Sequence, residues 1–272
     1  MHPPKPESLA PLTPPNSNGA LDTYIAFLAT FSKPQKPIQS LTTIDRLHGF
    51  SEMAAVPNAS NPAFPLHYPA ARTALLLLDF QSFIISMCGS AGEDATANAA
   101  LVRKWALEQG IMVLHSIVDI NGEPAPNVKR RLRLTTMLAT IKQSSPEAAE
   151  EAIQLAFAEQ PNEHLVLKAP GVVSGLKSRG ARELLAEHDI KSLIICGLST
   201  SGAVLRTAVP ATDDNFVVTV VSDACADPKA ELHEILLEQV LSTRAHVVVA
   251  EEVVQWQMGS ARANSGSEVA QA

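Results

Sequence analysis

The chain has 272 residues, 46% of them hydrophobic and 18% charged, with a net charge of -7. That is the composition of an ordinary globular protein long enough to bury a large core in one domain. The acidic balance excludes a nucleic-acid surface, and no stretch is apolar enough over the length a membrane-spanning helix needs.

Residues 1–19 are rich in Pro, Ser and Asn and are expected to be disordered. This stretch lacks the apolar core of a secretory signal. The three cysteines, Cys88, Cys196 and Cys225, show no metal or redox spacing, so free thiols in the cytoplasm are expected. Residues 20–70 read as an arm. Leu21–Phe31 has a helical apolar side (Tyr24, Ile25, Phe27, Leu28, Phe31), and "NASNPAFPLHYP" is extended and broken by proline. So much apolar surface on an arm predicts a homo-oligomer.

From residue 71 to 258 the pattern is that of one domain, followed by a disordered tail over 259–272. "TALLLLDF" is a continuous apolar run ending at Asp79, as in a strand buried on both faces. "NAALVRKWALEQG" has helical spacing and stops at Gly110. "IMVLHSIVD" is a second strand. The basic cluster Lys129–Arg133 starts a solvated helix around Leu132–Lys142, and a further helix is predicted over Pro146–Glu159. "EHLVLK" is a strand ending at Lys168, "GARELLAEHDI" a helix and "KSLIICG" a strand. "GAVLRTAVPAT" is a helix, "FVVTVVSDA" a strand ending at Asp223, "AELHEILLEQVLSTR" a helix and "AHVVVAEEV" the last strand. This alternation predicts a Rossmann-like α/β/α arrangement with a mainly parallel sheet of about six strands.

Ligands of such sheets bind beyond the carboxyl ends of the strands. The residues there are Asp79, His115, Lys168, the turn Gly197–Ala203 and Asp223. The dinucleotide and phosphate-loop patterns are absent. The nucleophile elbow G-x-S-x-G fails at Ser201, so Ser199 is not a nucleophile of that kind. His115, Asp223 and His233 read as structural residues, Asp223 by accepting amides of the turn beyond it. Cys196 reads as core.

Four segments give the chain its resemblance to the isochorismatase-like hydrolases, the cysteine hydrolase superfamily of nicotinamidases, N-carbamoylsarcosine amidases and isochorismatases. "LLLLDFQ" resembles the family's Asp-x-Gln strand end, and "LKAPGVVSGLKS" its lysine segment. "GLSTSGAVLRTA" matches G-x-x-T-x-x-C-V-x-x-T-A at all fixed positions but one. In "VSDACADPKAELHEILL" an Asp-Ala-x-Ala-Asp run precedes a histidine.

In the family's amidases a carboxylate takes the proton of a cysteine thiol and an ammonium favours the thiolate. The resemblance implies Asp79 and Lys168 in those roles, with Ala203 at the nucleophile position. It also implies a cis peptide at Leu198–Ser199, backbone donors from Ser199 and Ala203, and substrate contacts from Gln81, Leu198, Ser199, Thr200 and Gly202. Isochorismatases proper carry a small residue at the nucleophile position and cleave a vinyl ether with the aspartate as acid. Three readings stay open: a hydrolase of a small carboxylate-bearing substrate without a cysteine nucleophile, an inactive homologue kept for binding or assembly, and an amidase with a displaced nucleophile, Cys225 or Cys88. The histidines by which nicotinamidases bind a metal are missing after the second strand, so neither metal nor cofactor is expected.

Overall fold

The computed structural model of the protein describes residues 59–158 and 160–258. The expected tails over 1–19 and 259–272, and the apolar stretch Leu21–Phe31, lie outside these residues.

Six parallel strands form one sheet: β1 Thr73–Leu78, β2 Met112–Val118, β3 Glu163–Lys168, β4 Ser192–Leu198, β5 Val217–Ala226 and β6 His246–Val248. The spatial order is β3-β2-β1-β4-β5-β6. The chain therefore runs outward from β1 to β3, returns to the centre at β4, and runs outward again to β6. The helices are α1 Ser82–Glu108, α2 Arg131–Ser144, α3 Ala181–Glu187, α4 Leu205–Asp213, α5 Ala230–Ile235 and α6 Ala250–Val254.

The two central strands are buried along their whole length, which is why they read as unbroken apolar runs. Their side chains alternate between two cores. Ala74, Leu76 and Leu78 meet Leu193, Ile195, Val204 and Ala208 on one face. Leu75 and Leu77 meet Ile194, Cys196 and the small positions Ala99, Val102 and Ala106 of α1 on the other. The small residues let α1 lie close to the sheet.

Four sequence expectations are corrected. α1 starts at Ser82, well before Asn98, because its two halves are joined across a break at Gly89 (φ 59°), where only glycine is at ease. The helix expected over Pro146–Glu159 is reduced to one 3₁₀ turn, Pro146–Ala149. The chain beyond it bonds instead to the end of β1: Ser82 N donates to Glu150 O at 2.9 Å and Ala152 N to Phe80 O at 2.9 Å. β5 continues past Asp223 to Ala226 through a register shift against β4 between Ile195 and Gly197, and the last strand stops at Val248 before a short helix. The proline-rich stretch at 59–72 joins the domain at β6. His246 Nε2 lies 2.8 Å from Ala63 O, and its ring is 5.1 Å from that of Phe64.

β1 and β4 approach closely at their carboxyl ends. A Cβ added at Gly197 would lie 2.6 Å from Leu78 Cβ and 2.9 Å from Leu78 O. Gly197→Ala is therefore expected to lower stability by about 1–3 kcal/mol through overpacking against backbone. Chemical denaturation of the variant checks this; an unchanged midpoint contradicts the close approach.

Candidate active site

The chain order reverses between β1 and β4, so the crevice at their carboxyl ends is where an open α/β sheet accommodates a ligand. Asp79 follows β1 directly. Its amide still donates to Ser116 O of β2 at 2.9 Å, but its φ of 61° turns the chain out of the sheet. Aspartate is among the few residues that tolerate this conformation.

Lys168, the last residue of β3, reaches across β2 to it. Its Nζ donates to Asp79 Oδ2 at 2.6 Å and to Val173 O at 3.0 Å. Both side chains are buried. The second carboxylate oxygen, Asp79 Oδ1, is buried with no hydrogen-bond partner among the described residues. Burial pushes the Asp79 carboxyl up to about 6, against the pull of the adjacent Lys168 ammonium. An ionised oxygen buried without a donor is costly, which is the burial effect that raises Asp79.

The other wall is the turn after β4. The peptide Leu198–Ser199 is cis, and a π-helical turn, Thr200–Val204, leads into α4. Ser199 O accepts from Gly202 N at 3.0 Å and Val204 N at 3.2 Å. Ala203 is buried in the core beside Val204. The loop after β3 joins the two walls. Val173, whose carbonyl holds Lys168, brings Cγ1 to 3.9 Å from where a Cβ of Gly202 would stand. Gly175 N donates to Thr207 Oγ1 of α4 at 2.8 Å. The lysine loop thus connects the Asp79–Lys168 pair to α4, the helix that follows the turn carrying Ala203.

Gln81 is placed differently. Its Nε2 donates to Val118 O at 3.1 Å and Ala149 O at 2.7 Å, and its Oε1 accepts Val118 N at 2.8 Å. Both amide hydrogens are committed to backbone, so Gln81 ties the end of β1 to β2 and to the strap at 149–152. His115 does not reach the crevice. It lies inside β2, fully buried, with Nδ1 2.8 Å from Glu151 Oε2 and Nε2 2.8 Å from Glu163 Oε1. Asp223 Oδ1 accepts Ala250 N at 2.8 Å, at the start of α6, not amides of the turn just beyond it. That turn is served by Asp227, which the sequence showed only as the last residue of the Asp-Ala-x-Ala-Asp run. Asp227 Oδ1 accepts Lys229 N at 3.2 Å, and Oδ2 accepts Ser201 N at 2.9 Å and Ser201 Oγ at 2.6 Å. His233 of α5, read as merely structural, lies with Nδ1 2.7 Å from Thr200 Oγ1.

The thiols are held protonated. Burial pushes Cys225 up to about 12 and Cys88 up to about 12, and raises Cys196 as well. None is a thiolate near neutral pH, which disfavours a displaced nucleophile.

The isochorismatase domain family matches residues 73–252. The chain belongs to the isochorismatase family. It is 28% identical over 190 residues to the phenazine biosynthesis protein PhzD of Pseudomonas fluorescens, covering 69% of this chain and 87% of that protein. It is 26% identical over 185 residues to a probable isochorismatase of Pseudomonas chlororaphis, covering 67% and 85%. Among solved structures, an isochorismatase family protein from Burkholderia thailandensis has a TM-score of 0.56 at 20% identity, covering 68% of this chain and 94% of that one. The N-carbamoylsarcosine amidase of Thermoplasma acidophilum has a TM-score of 0.53 at 17% identity, covering 66% and 97%. At these identities the structural matches show a shared fold. Among the described residues no helix is long and apolar enough to cross a membrane.

The buried pair yields a pH-dependent prediction. Asp79 binds its proton more tightly folded (about 6) than at its ordinary value of 3.8. This favours folding fully below 3.8 and is lost as pH rises through about 6. In Lys168→Met the opposing cation is gone and Asp79 moves further up. The variant is expected to lose about 3–5 kcal/mol at about pH 8, where a carboxylate would be stranded, and clearly less at about pH 5. Urea denaturation at both values checks this; a deficit independent of pH contradicts it.

Proposed function

We propose that the protein hydrolyses a small carboxylate-bearing enol ether of the isochorismate type, with Asp79 as the proton donor and no covalent intermediate. The observation that carries this reading is the state of Asp79: a buried carboxyl, raised to about 6, with one oxygen anchored by Lys168 and the other unpartnered among the described residues. A general acid needs that poise. The probable isochorismatase among the relatives supports the substrate class, and Ala203, at the family's nucleophile position, offers no thiol for acyl transfer.

The proton on Asp79 Oδ1 passes to the terminal carbon of the substrate's double bond. Positive charge develops at the ether carbon, and water adds there and returns a proton to Asp79. The resulting hemiketal breaks into a keto acid and an alcohol. A substrate carboxylate near Lys168 offsets the ammonium's pull on Asp79 and keeps the acid protonated until the transfer. Of the turn's amides, Ser201 N and Gly202 N are already committed to Asp227 and Ser199 O, so the donors proposed for an anionic substrate group are those of Ser199 and Ala203. Leu198, Ser199, Thr200 and Gly202 form the wall on that side.

The test is release of keto acid from isochorismate and related enol ethers by the purified protein. Asp79→Asn is expected to lower kcat about 10²–10⁴-fold, the usual contribution of a positioned acid. The wild-type rate is expected to fall as pH rises through about 6, because the protonated form is the active one. Nicotinamide and N-carbamoyl substrates are expected to be left intact. A wild type inert on all enol ethers sinks this reading in favour of a binding or assembly role.

A further inference from the structure

Thr200 is completely buried, and among the described residues its hydroxyl has one partner, Nδ1 of His233, at 2.7 Å. A hydroxyl carries one hydrogen, and burying it without an acceptor costs far more than leaving a lone pair unused. If His233 carried a proton on Nδ1, the two hydrogens would face each other or the Thr200 hydrogen would have nowhere to go. The buried hydroxyl therefore selects the histidine's state. We propose that His233 is a positioning residue of the candidate active site, held as the Nε2–H tautomer, whose Nδ1 takes the Thr200 hydrogen and so fixes the turn that carries Ala203.

The bearing of this bond on catalysis rests on the functional reading given above. Thr200 lies in the same π-helical turn as Ala203. The neighbouring residue is held from the same segment: Asp227 takes both the amide and the hydroxyl of Ser201. One stretch of chain, 227–233, thereby fixes two successive residues of the turn.

The charged groups acting on His233 are Asp227, in the loop before α5, and Glu234, on α5 itself. Both favour the imidazolium, but burial is the larger effect and holds His233 below the usual histidine range. As pH falls through that value, Nδ1 becomes a donor and the bond to Thr200 is lost. A pH low enough to protonate His233 therefore releases Thr200 and loosens the turn.

The first readout needs no substrate. Nitrogen-15 NMR of the histidine rings is expected to show His233 at neutral pH with Nδ1 bare and hydrogen-bonded and Nε2 protonated. In Thr200→Val, which keeps the shape and loses the donor, the Nδ1 signal moves and the His233 titration shifts upward. The second readout is kinetic. His233→Asn keeps an acceptor near the Nδ1 position but cannot titrate, so the part of the kcat/KM profile that follows the His233 titration is lost while the limb of Asp79 near 6 stays. His233→Phe lowers kcat/KM on the order of 10-fold or more, and His233→Asn restores most of it. A proton on Nδ1 at neutral pH, or a Thr200→Val variant with an unmoved His233 titration, overturns the proposal. So does a His233→Phe enzyme with wild-type kcat, KM and pH profile. Should the protein prove inert on enol ethers, the NMR result still decides the tautomer, and the functional reading alone fails.

Discussion

A carboxylate and an ammonium 2.6 Å apart in the interior constrain most of the residues around them. Such a pair is stable only if its geometry is held and its remaining polar atoms are served, because desolvation of two charges offsets much of their attraction. Asp79 and Lys168 lie on strands that are not neighbours, with β2 between them. The pair therefore exists only while β1, β2 and β3 keep their register, and the residues around it enforce that register. Gln81 ties the end of β1 to Val118 on β2. Ser116 joins Ser178, beyond the lysine loop, through a 2.8 Å contact between hydroxyls. Val173 folds back to accept from the ammonium. Two residues further on, Gly175 donates its amide to Thr207 of α4.

The second half of the sheet carries the turn in a similar way. Gly197 admits Leu78 against its backbone, which draws the end of β4 up to the end of β1. The register shift between Ile195 and Gly197 lets β5 run on beside β4 to Ala226. Asp227 then arrives next to Ser201, and α5 brings His233 to Thr200. The site is thus a junction of two half-sheets at the point where chain order reverses, and each half supplies one rigid wall.

The parts legible in the sequence were those with one dominant local cause. Continuous apolar runs marked β1 and β4, because burial on both faces leaves no polar position to alternate. The family motif placed Asp79, Lys168 and the turn, because backbone geometry there depends on a few small residues in fixed order. What escaped was decided by partners distant in sequence. Residues 150–152 look helical, yet their backbone finds better partners in Phe80 and Ser82. His115 looked like a strand-end residue, yet it is locked between Glu151 and Glu163 with Arg103 behind them. Asp223 and Asp227 are chemically alike in the sequence. Only the extension of β5 decides that the first serves α6 and the second serves the turn.

The same pair of charges can run opposite chemistries, and the residue at 203 decides which is useful. A thiol there needs Asp79 as a base, hence ionised, and the ammonium of Lys168 favours that form. With a methyl group there, no proton awaits removal, and an ionised Asp79 has nothing to do. Burial already works against the ammonium and carries the carboxyl to about 6. A substrate carboxylate placed near Lys168 adds to burial, since it neutralises the one group that holds Asp79 down. Under the proposed function the methyl group at 203 and an anionic substrate act together: the first leaves no thiol for a base to deprotonate, and the second would keep Asp79 protonated without moving either residue. A neutral amide would supply no such charge, so the proposed chemistry requires an anionic substrate on electrostatic grounds as well as for want of a nucleophile.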